Sequence, residues 1–215
     1  MAEDASADRR MLDRMMTFSD GVFAVALTLL ALELRPPEGL DGAAFWVEVL
    51  QLIPQTASLM ISFALASLWW AVHLMVTREL TAFDWPTALC NLAFLFFIVL
   101  LPFAAGTFGA NMDLAAPLAL YWMINACVSF SMTLMFFVMS RDKGRLIGGI
   151  GWGERVVRLL QAAAPGMVFV LGAYWALAGE IWLSRFCCVL MAPIMIVLGT
   201  LGGMLERRRA RRAAA

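Results

Sequence analysis

The sequence is organised around residues 14–34, which read RMMTFSDGVFAVALTLLALEL. About 20 residues that rise about 1.5 Å each cross a hydrocarbon core of about 30 Å, so the length of this stretch predicts a transmembrane helix. Asp20 falls in the first third of that helix. A carboxylate inside lipid costs on the order of 3 kcal/mol or more, so Asp20 either anchors the helix near the water interface or serves a function.

The predicted helix has two different faces. Because successive residues of an α-helix turn by about 100°, one stripe collects small or apolar side chains and a single hydroxyl group. We call it the stripe, and its members are Phe18, Gly21, Val25, Thr28, Leu29 and Leu32. Asp20 lies nearly opposite, and Arg14 lies on the stripe side as an interfacial basic anchor. A plain lipid anchor needs no such stripe, but ordinary helix packing would also favour small residues there.

The composition indicates an integral membrane protein. Of the 215 residues, 62% are hydrophobic and 15% are charged, whereas soluble domains are about 25% charged. The apolar residues form long unbroken blocks, which favour helices over a β-barrel. The four cysteines lie inside these blocks without metal-ligand spacing, so we expect small buried hydrophobes, no resident metal and no cofactor.

The apolar blocks predict an all-α protein with six transmembrane helices and no soluble domain. The spans are expected at about 12–34, 44–77, 85–103, 115–139, 156–178 and 181–205. Pro54 would kink the second span or mark a turn before it, and Asp84 reads as the N-cap of the third. Gly199 and Gly203 have the spacing of a close helix contact. Residues 1–10 are expected to form a tail, residues 11–205 the transmembrane domain, and residues 206–215 a basic tail.

The basic residues predict the orientation. Six spans place both termini on one side of the membrane. Of the 16 lysines and arginines, only Arg35 and Arg185 fall on the other side. Because basic residues are enriched in cytoplasmic loops, we expect a multi-pass protein of the cell (inner) membrane with both termini in the cytoplasm.

This topology gathers polar side chains near the cytoplasmic side. Ser19 and Asp20 are early in the first span, His73 is late in the second, and Asp84 begins the third. Since ionisable groups in lipid pair with one another, Asp20 is expected to bond to His73 or to a nearby tryptophan N–H. The cluster is either a structural lock that fixes the first helix or a proton relay. A single histidine, and an aspartate turned away from the stripe, favour the lock.

Three further polar residues invite interpretation. Glu33 lies at the outer end of the first helix, where a ring of carboxylates would concentrate cations. A solvated helix end explains Glu33 equally well. Asn125 and Ser129 are four residues apart and share a helix face, so we expect them to hydrogen-bond across helices.

The opening of the first helix resembles the signature of the transmembrane-protein-175 family of potassium channels, Arg-x-x-x-Phe-Ser-Asp. The matching residues are Arg14, Phe18, Ser19 and Asp20. Later, Trp70-x-x-His73 resembles the family's tryptophan–histidine pattern, and Asn91 with Leu101-Pro102-Phe103 is similar to its third helix. The resemblance covers about residues 14–103. Beyond them only the number and hydrophobicity of the helices match.

The resemblance implies a homotetramer of six-helix subunits that conducts potassium with modest selectivity and without a carbonyl filter. The first helix of each subunit would line the pore, with bulky aliphatic side chains at the constriction. On this chain those positions are Val25, Leu29 and Leu32, with Thr28 beside them to receive a transient potassium ion. Rings of aliphatic side chains gate by dewetting. Many relatives place isoleucine or leucine where this chain has Val25, whose narrower side chain would widen or shift the constriction.

Other functions compete with this interpretation. The strongest is a proton-coupled small-solute transporter that uses Asp20 and His73, although the chain lacks the repeats common in transporters. A structural assembly protein is also consistent with the sequence. An enzyme is not expected, because one histidine and no nucleophile motif leave little chemistry. The expected partners are potassium ions, the lipid bilayer and further copies of the chain, with no nucleic acid.

Overall fold

The computed structural model describes residues 2–187, and this part of the chain is all-helical. Five of its helices are long and apolar enough to cross a membrane. The elements are α1 (Ala2–Leu29) with a 3₁₀ turn (Leu30–Glu33), α2 (Gly42–Gln51), α3 (Ile53–Thr77), α4 (Trp85–Ala110), α5 (Ala115–Met139), α6 (Arg141–Gly144) with a 3₁₀ turn (Arg145–Ile147), and α7 (Trp152–Leu177). Residues 181–187 are again helical. The rest of the expected sixth span lies outside the described residues, as do Gly199, Gly203 and the tail 206–215.

The first helix is longer than the sequence predicts. It begins at Ala2, so it includes most of the segment 1–10 that was expected to be a tail. That segment is rich in alanine, arginine and acidic residues, and alanine, arginine and glutamate are good helix formers in water. At its other end the helix tightens into the 3₁₀ turn and stops before Pro36, which restricts the residue that precedes it.

The second expected span is divided in two. The break falls at Leu52, and Pro54 lies in the first turn of α3, where its missing N–H costs no helical hydrogen bond. This confirms the alternative in which Pro54 marks a turn before the span. The short helix α2 is capped by the Asp41 carboxylate, which accepts a hydrogen bond from the Gly42 backbone N–H at 2.6 Å.

The third span confirms the predicted cap and corrects the predicted end. The Asp84 carboxylate accepts from the Thr87 backbone N–H at 3.2 Å and from its hydroxyl at 3.1 Å. However, α4 continues through Pro102 to Ala110, beyond the expected end near residue 103. Proline inside a transmembrane helix is tolerated when neighbouring helices and local adjustments satisfy the freed backbone groups. In the same way, α7 continues through Pro165.

The helices are unequally buried. Helix α5 packs between α4 and α7, whereas α1 packs against α3 and α4. Two-thirds (67%) of the apolar part of α5 is buried, but only 22% of that of α1. The largest fully buried side chains include Trp122 and Phe169, whose rings stack with centroids 5.5 Å apart. The core therefore lies along α4, α5 and α7, and α1 is attached to one side of it.

Candidate functional site

The stripe of α1 faces outward from the chain. Val25, Leu29 and Leu32 are 57%, 38% and 72% exposed. Phe18, Gly21 and Thr28 are exposed as well. The opposite side of the helix is buried through Phe23, Ala26 and Leu30. The face predicted from the helical wheel is thus free to contact lipid or another copy of the chain.

The end of the helix aligns its last two leucines. In a 3₁₀ helix the side chains of residues three apart eclipse one another, which brings Leu32 toward the line of Leu29. The hydroxyl of Thr28 donates to the carbonyl oxygen of Val25 at 2.8 Å. Because this bond uses the hydroxyl hydrogen, the lone pairs of the Thr28 oxygen remain available to a cation.

Behind the stripe, a directed chain of hydrogen bonds joins α1 to α3 and α4. The amide of Asn91 donates through Nδ2 to Ser19 Oγ at 2.9 Å, and its Oδ1 lies 2.7 Å from His73 Nε2. Since Oδ1 can only accept, His73 must donate from Nε2. Ser19 in turn donates to the carbonyl oxygen of Met15 at 2.9 Å. Ser19, His73 and Asn91 are all buried, so we call them the buried polar chain.

Two phenylalanines enclose the histidine of this chain. The ring of Phe94 stacks on His73 with centroids 5.2 Å apart and planes 4° apart, and Phe23 lies 5.8 Å away at an angle. The hydrogen bonds that run from His73 through Asn91 and Ser19 end on the backbone carbonyl oxygen of Met15. This geometry fixes the position of His73 and holds α1 against α4.

Asp20 has the second of its two expected partners. Its Oδ1 accepts a hydrogen bond from Trp70 Nε1 at 2.9 Å, while His73 bonds to Asn91 instead. Asp84 caps α4. Among the described residues, no hydrogen bond links Asp84 to Ser19, Asp20 or His73. Asp20 and Trp70 are both exposed, at the side of α1 away from the stripe.

Trp69 has an interhelical role that no pattern in the sequence indicates. Adjacent residues of a helix point about 100° apart, so Trp69 points inward where Trp70 points to α1. The indole of Trp69 donates to Asn125 Oδ1 at 3.4 Å, which links α3 to α5. Ser129 donates to the carbonyl oxygen of Ala162 at 3.1 Å, which links α5 to α7. The expected interhelical role of Asn125 and Ser129 is thereby confirmed.

At the carboxyl-terminal end of the stripe, the side chain of Glu33 lies against α4. An alanine Cβ at Gly106 would overlap the carboxylate of Glu33, so the glycine leaves room for the carboxylate in its present position. Glu33 also lines an open depression together with Arg35, Glu38 and Glu48. Arg14, at the other end of the stripe, is exposed. Within residues 2–187, no group of three or more metal-ligating side chains is assembled.

Comparison with known proteins places these residues in a family context. Residues 14–102 match the family model described as the endosomal/lysosomal potassium channel TMEM175. The chain is 27% identical over 131 residues to a protein named as a potassium channel from Chryseobacterium sp. (strain P1-3). It is 30% identical over 89 residues to one from Streptomyces collinus. These alignments span 61% and 41% of this chain, and 66% and 43% of the two relatives.

Solved structures share the fold. A protein from Chamaesiphon minutus, described as a homologue of the lysosomal potassium-selective channel TMEM175, superposes with a TM-score of 0.74 at 20% identity, and the match covers 87% of this chain and 97% of that protein. A variant of the potassium channel MtTMEM175, solved with a nanobody fusion, gives 0.62 at 21% identity and covers 89% and 93%. Residues 14–102 therefore carry the TMEM175 family pattern, on a fold shared with solved TMEM175 channels.

Proposed function

We propose that this chain is one subunit of a potassium-permeable cation channel whose pore is formed by the first helix of each of four subunits. The observation that carries this proposal is the exposed stripe of α1, which has Val25, Leu29 and Leu32 on one side and the buried polar chain behind it. The relatives named as potassium channels support the choice of ion. The chain acts as a channel and not as an enzyme.

A ring of aliphatic side chains provides the gate. The sequence lacks a Thr-Val-Gly-Tyr-Gly segment, so potassium does not exchange its hydration shell for that ladder of carbonyl oxygens. A narrow apolar ring excludes water, and slight widening lets hydrated ions pass. Selectivity is then modest, and the oxygen of Thr28 assists a partly dehydrated ion.

Assembly around an axis converts the stripe into a pore. Most soluble oligomers of identical chains have closed symmetry, and the same closure applies here. With four copies, each stripe faces the axis and each set of α4, α5 and α7 lies toward the perimeter. The complete subunit has six spans, the sixth beginning near residue 181, with both termini on the cytoplasmic side of the cell membrane.

The buried polar chain and the bond between Asp20 and Trp70 act as a lock. Side-chain hydrogen bonds between membrane helices are worth about 0.6 kcal/mol each on average, so several together are needed to fix the tilt of α1. A fixed tilt keeps the aliphatic rings in register around the axis. Since Asp20 and His73 bond to different partners, the lock is favoured over a proton relay between them.

Bilayer recording of the purified chain in asymmetric potassium and sodium solutions tests the proposal. We expect currents that need no proton gradient. Their reversal potential should be shifted from zero toward the equilibrium potential of potassium. Leu29→Ser should raise the conductance, because a polar ring retains water. Leu171→Ser is the matched control, since Leu171 is a similarly exposed leucine of α7. Equal conductance in both variants, or flux that requires a proton gradient and vanishes in Asp20→Asn, would overturn the proposal.

A further inference from the structure

Two arginines flank one aromatic ring where α5 ends and α7 begins. The guanidinium carbon of Arg155 lies 5.0 Å from the centroid of the Phe137 ring, and that of Arg141 lies 6.0 Å from it. Both distances are within the range of cation–π attraction. The ring itself is 42% exposed, so the two cations and the ring form one surface feature.

The guanidinium of Arg155 is held in place by α5. Its Nε donates to Ser140 Oγ at 3.0 Å, and Ser140 is buried. An arginine has five N–H donors, so this bond orients the group and leaves most of its donors unused. Arg155 is therefore prepared to receive a planar or tetrahedral anion without losing much side-chain freedom on binding.

Neither arginine has a carboxylate partner among the side chains that the structure describes. The nearby carboxylates belong instead to Arg158, whose Nη1 lies 2.8 Å from Glu79 Oε2 and whose Nη2 lies 3.1 Å from Glu154 Oε1. Two positive charges thus share the Phe137 ring, and no carboxylate among the described side chains forms a salt bridge with either of them. Two guanidinium groups beside one ring favour the binding of an anion, because each forms charge-assisted hydrogen bonds to anionic oxygens.

An exposed apolar strip leads directly to these two cations. Phe130, Leu134 and Phe137 are four and three residues apart on α5, and they are 41%, 51% and 42% exposed. Trp152, which begins α7, is 76% exposed, and tryptophan is enriched where a membrane meets water. The strip is placed to contact the acyl chain of a lipid, and the two arginines are placed to contact its headgroup.

We infer that Arg141 and Arg155 bind the phosphate group of an anionic phospholipid, with its acyl chain along Phe130, Leu134 and Phe137. Arginine forms strong charge-assisted hydrogen bonds to phosphate oxygens, and an anionic lipid supplies the missing counter-charge. The site lies on α5, α6 and α7, whereas the stripe lies on α1, which packs against α3 and α4. It is independent of the proposed pore.

Native mass spectrometry of the full chain in neutral detergent tests this site. The probes are phosphatidylglycerol and phosphatidylcholine with identical acyl chains. We expect Arg141→Gln to weaken the binding of phosphatidylglycerol about fivefold, the usual worth of one arginine near an anionic lipid surface, and to leave phosphatidylcholine unchanged. Arg78→Gln is the matched control, since Arg78 is an exposed arginine that caps the end of α3.

The variants differ in structural risk. Arg141 is expected to be replaceable without loss of folding, because its contact with Phe137 is through the ring alone. For Arg155, the variant Arg155→Lys keeps the charge but loses the bond from Nε, so we expect a smaller loss than in Arg155→Gln. Equal weakening by Arg78→Gln, or no weakening by Arg141→Gln, would overturn the site. Displacement of the lipid by equimolar glycerol phosphate would overturn the assignment to a lipid.

Discussion

Trp70 donates its indole N–H to Asp20 Oδ1 at 2.9 Å, and this bond joins α1 to α3. The bond lies on the opposite side of α1 from the stripe, while Ser19 is held from α4 by Asn91 at 2.9 Å. Helix α1 is therefore fixed by two consecutive residues that bond to two different helices. Such an arrangement resists both rotation and tilt of α1, since neither bond can be kept if the helix turns about the other.

Replacing Trp70 by phenylalanine removes the donor but keeps most of the apolar ring. We expect the thermal midpoint of the purified chain in detergent to fall by about 2 °C, the effect of one interhelical hydrogen bond in a protein of this size. Trp46→Phe is the control, because Trp46 is an exposed tryptophan of α2. If both variants lower the midpoint equally, the bond to Asp20 contributes nothing specific.

Asn91→Leu should destabilise the chain more than Trp70→Phe does. The substitution leaves buried polar atoms of Ser19 and His73 without the partner they have in the native chain, at a cost of about 1–3 kcal/mol for each. Ser19→Ala in the Asn91→Leu background should therefore cost less than it does alone. The coupling is measured by denaturant unfolding of the native chain, the two single variants and the double variant. Strictly additive losses in the free energy of unfolding would contradict a continuous buried polar chain.

Gly106→Ala should disturb the 3₁₀ turn that follows α1. The added methyl group overlaps the carboxylate of Glu33, which must swing away from α4. Because the overlap involves only the end of a flexible, exposed side chain, we expect a small fall in the thermal midpoint, which the second change Glu33→Ala restores. Gly153→Ala is the control, since a Cβ at Gly153 meets no atom within 4 Å. Failure of Glu33→Ala to restore the midpoint would place the clash elsewhere.

Thr28→Val tests the oxygen beside the aliphatic rings. Valine has nearly the same shape but offers no lone pair, so we expect the permeability ratio of potassium to sodium to move toward one while currents persist. The ratio follows from the reversal potential in asymmetric solutions. Thr133→Val is the control, because the hydroxyl of Thr133 likewise donates within its own helix, in α5. An unchanged ratio in Thr28→Val would remove the oxygen from the selectivity proposal.

Local chemistry made several features predictable. The carboxylate of Asp84 followed by Pro86 marks the start of α4, and the apolar run over Ala115–Met139 gives α5 with both ends correct. The stripe follows from the helical repeat alone. These features depend on neighbours within one or two turns, which a sequence displays directly.

Features that depend on contacts between distant segments were not predictable in the same way. Whether Asp20 meets His73 or Trp70 depends on how α1 and α3 are rotated about their own axes, which periodicity leaves open by tens of degrees. The passage of α4 through Pro102 depends on the neighbours that surround it. Glu33 and Gly106 are far apart in the sequence, and neither shows a local pattern that predicts their contact. The reason for a glycine at position 106 is therefore seen only in the folded chain.

The separation in sequence between Ser19 and its partner Asn91 determines when their hydrogen bond can form during biosynthesis. Asn91 follows Ser19 by 72 residues, and Trp70 follows Asp20 by 50. Because the ribosome makes the amino-terminal part first, α1 is synthesised before either partner. Until then, Ser19 can bond only to the carbonyl of Met15 in its own helix. A nascent chain arrested between residues 70 and 91 would thus contain the partner of Asp20 but not that of Ser19, and translation of the start of α4 completes the attachment of the first helix.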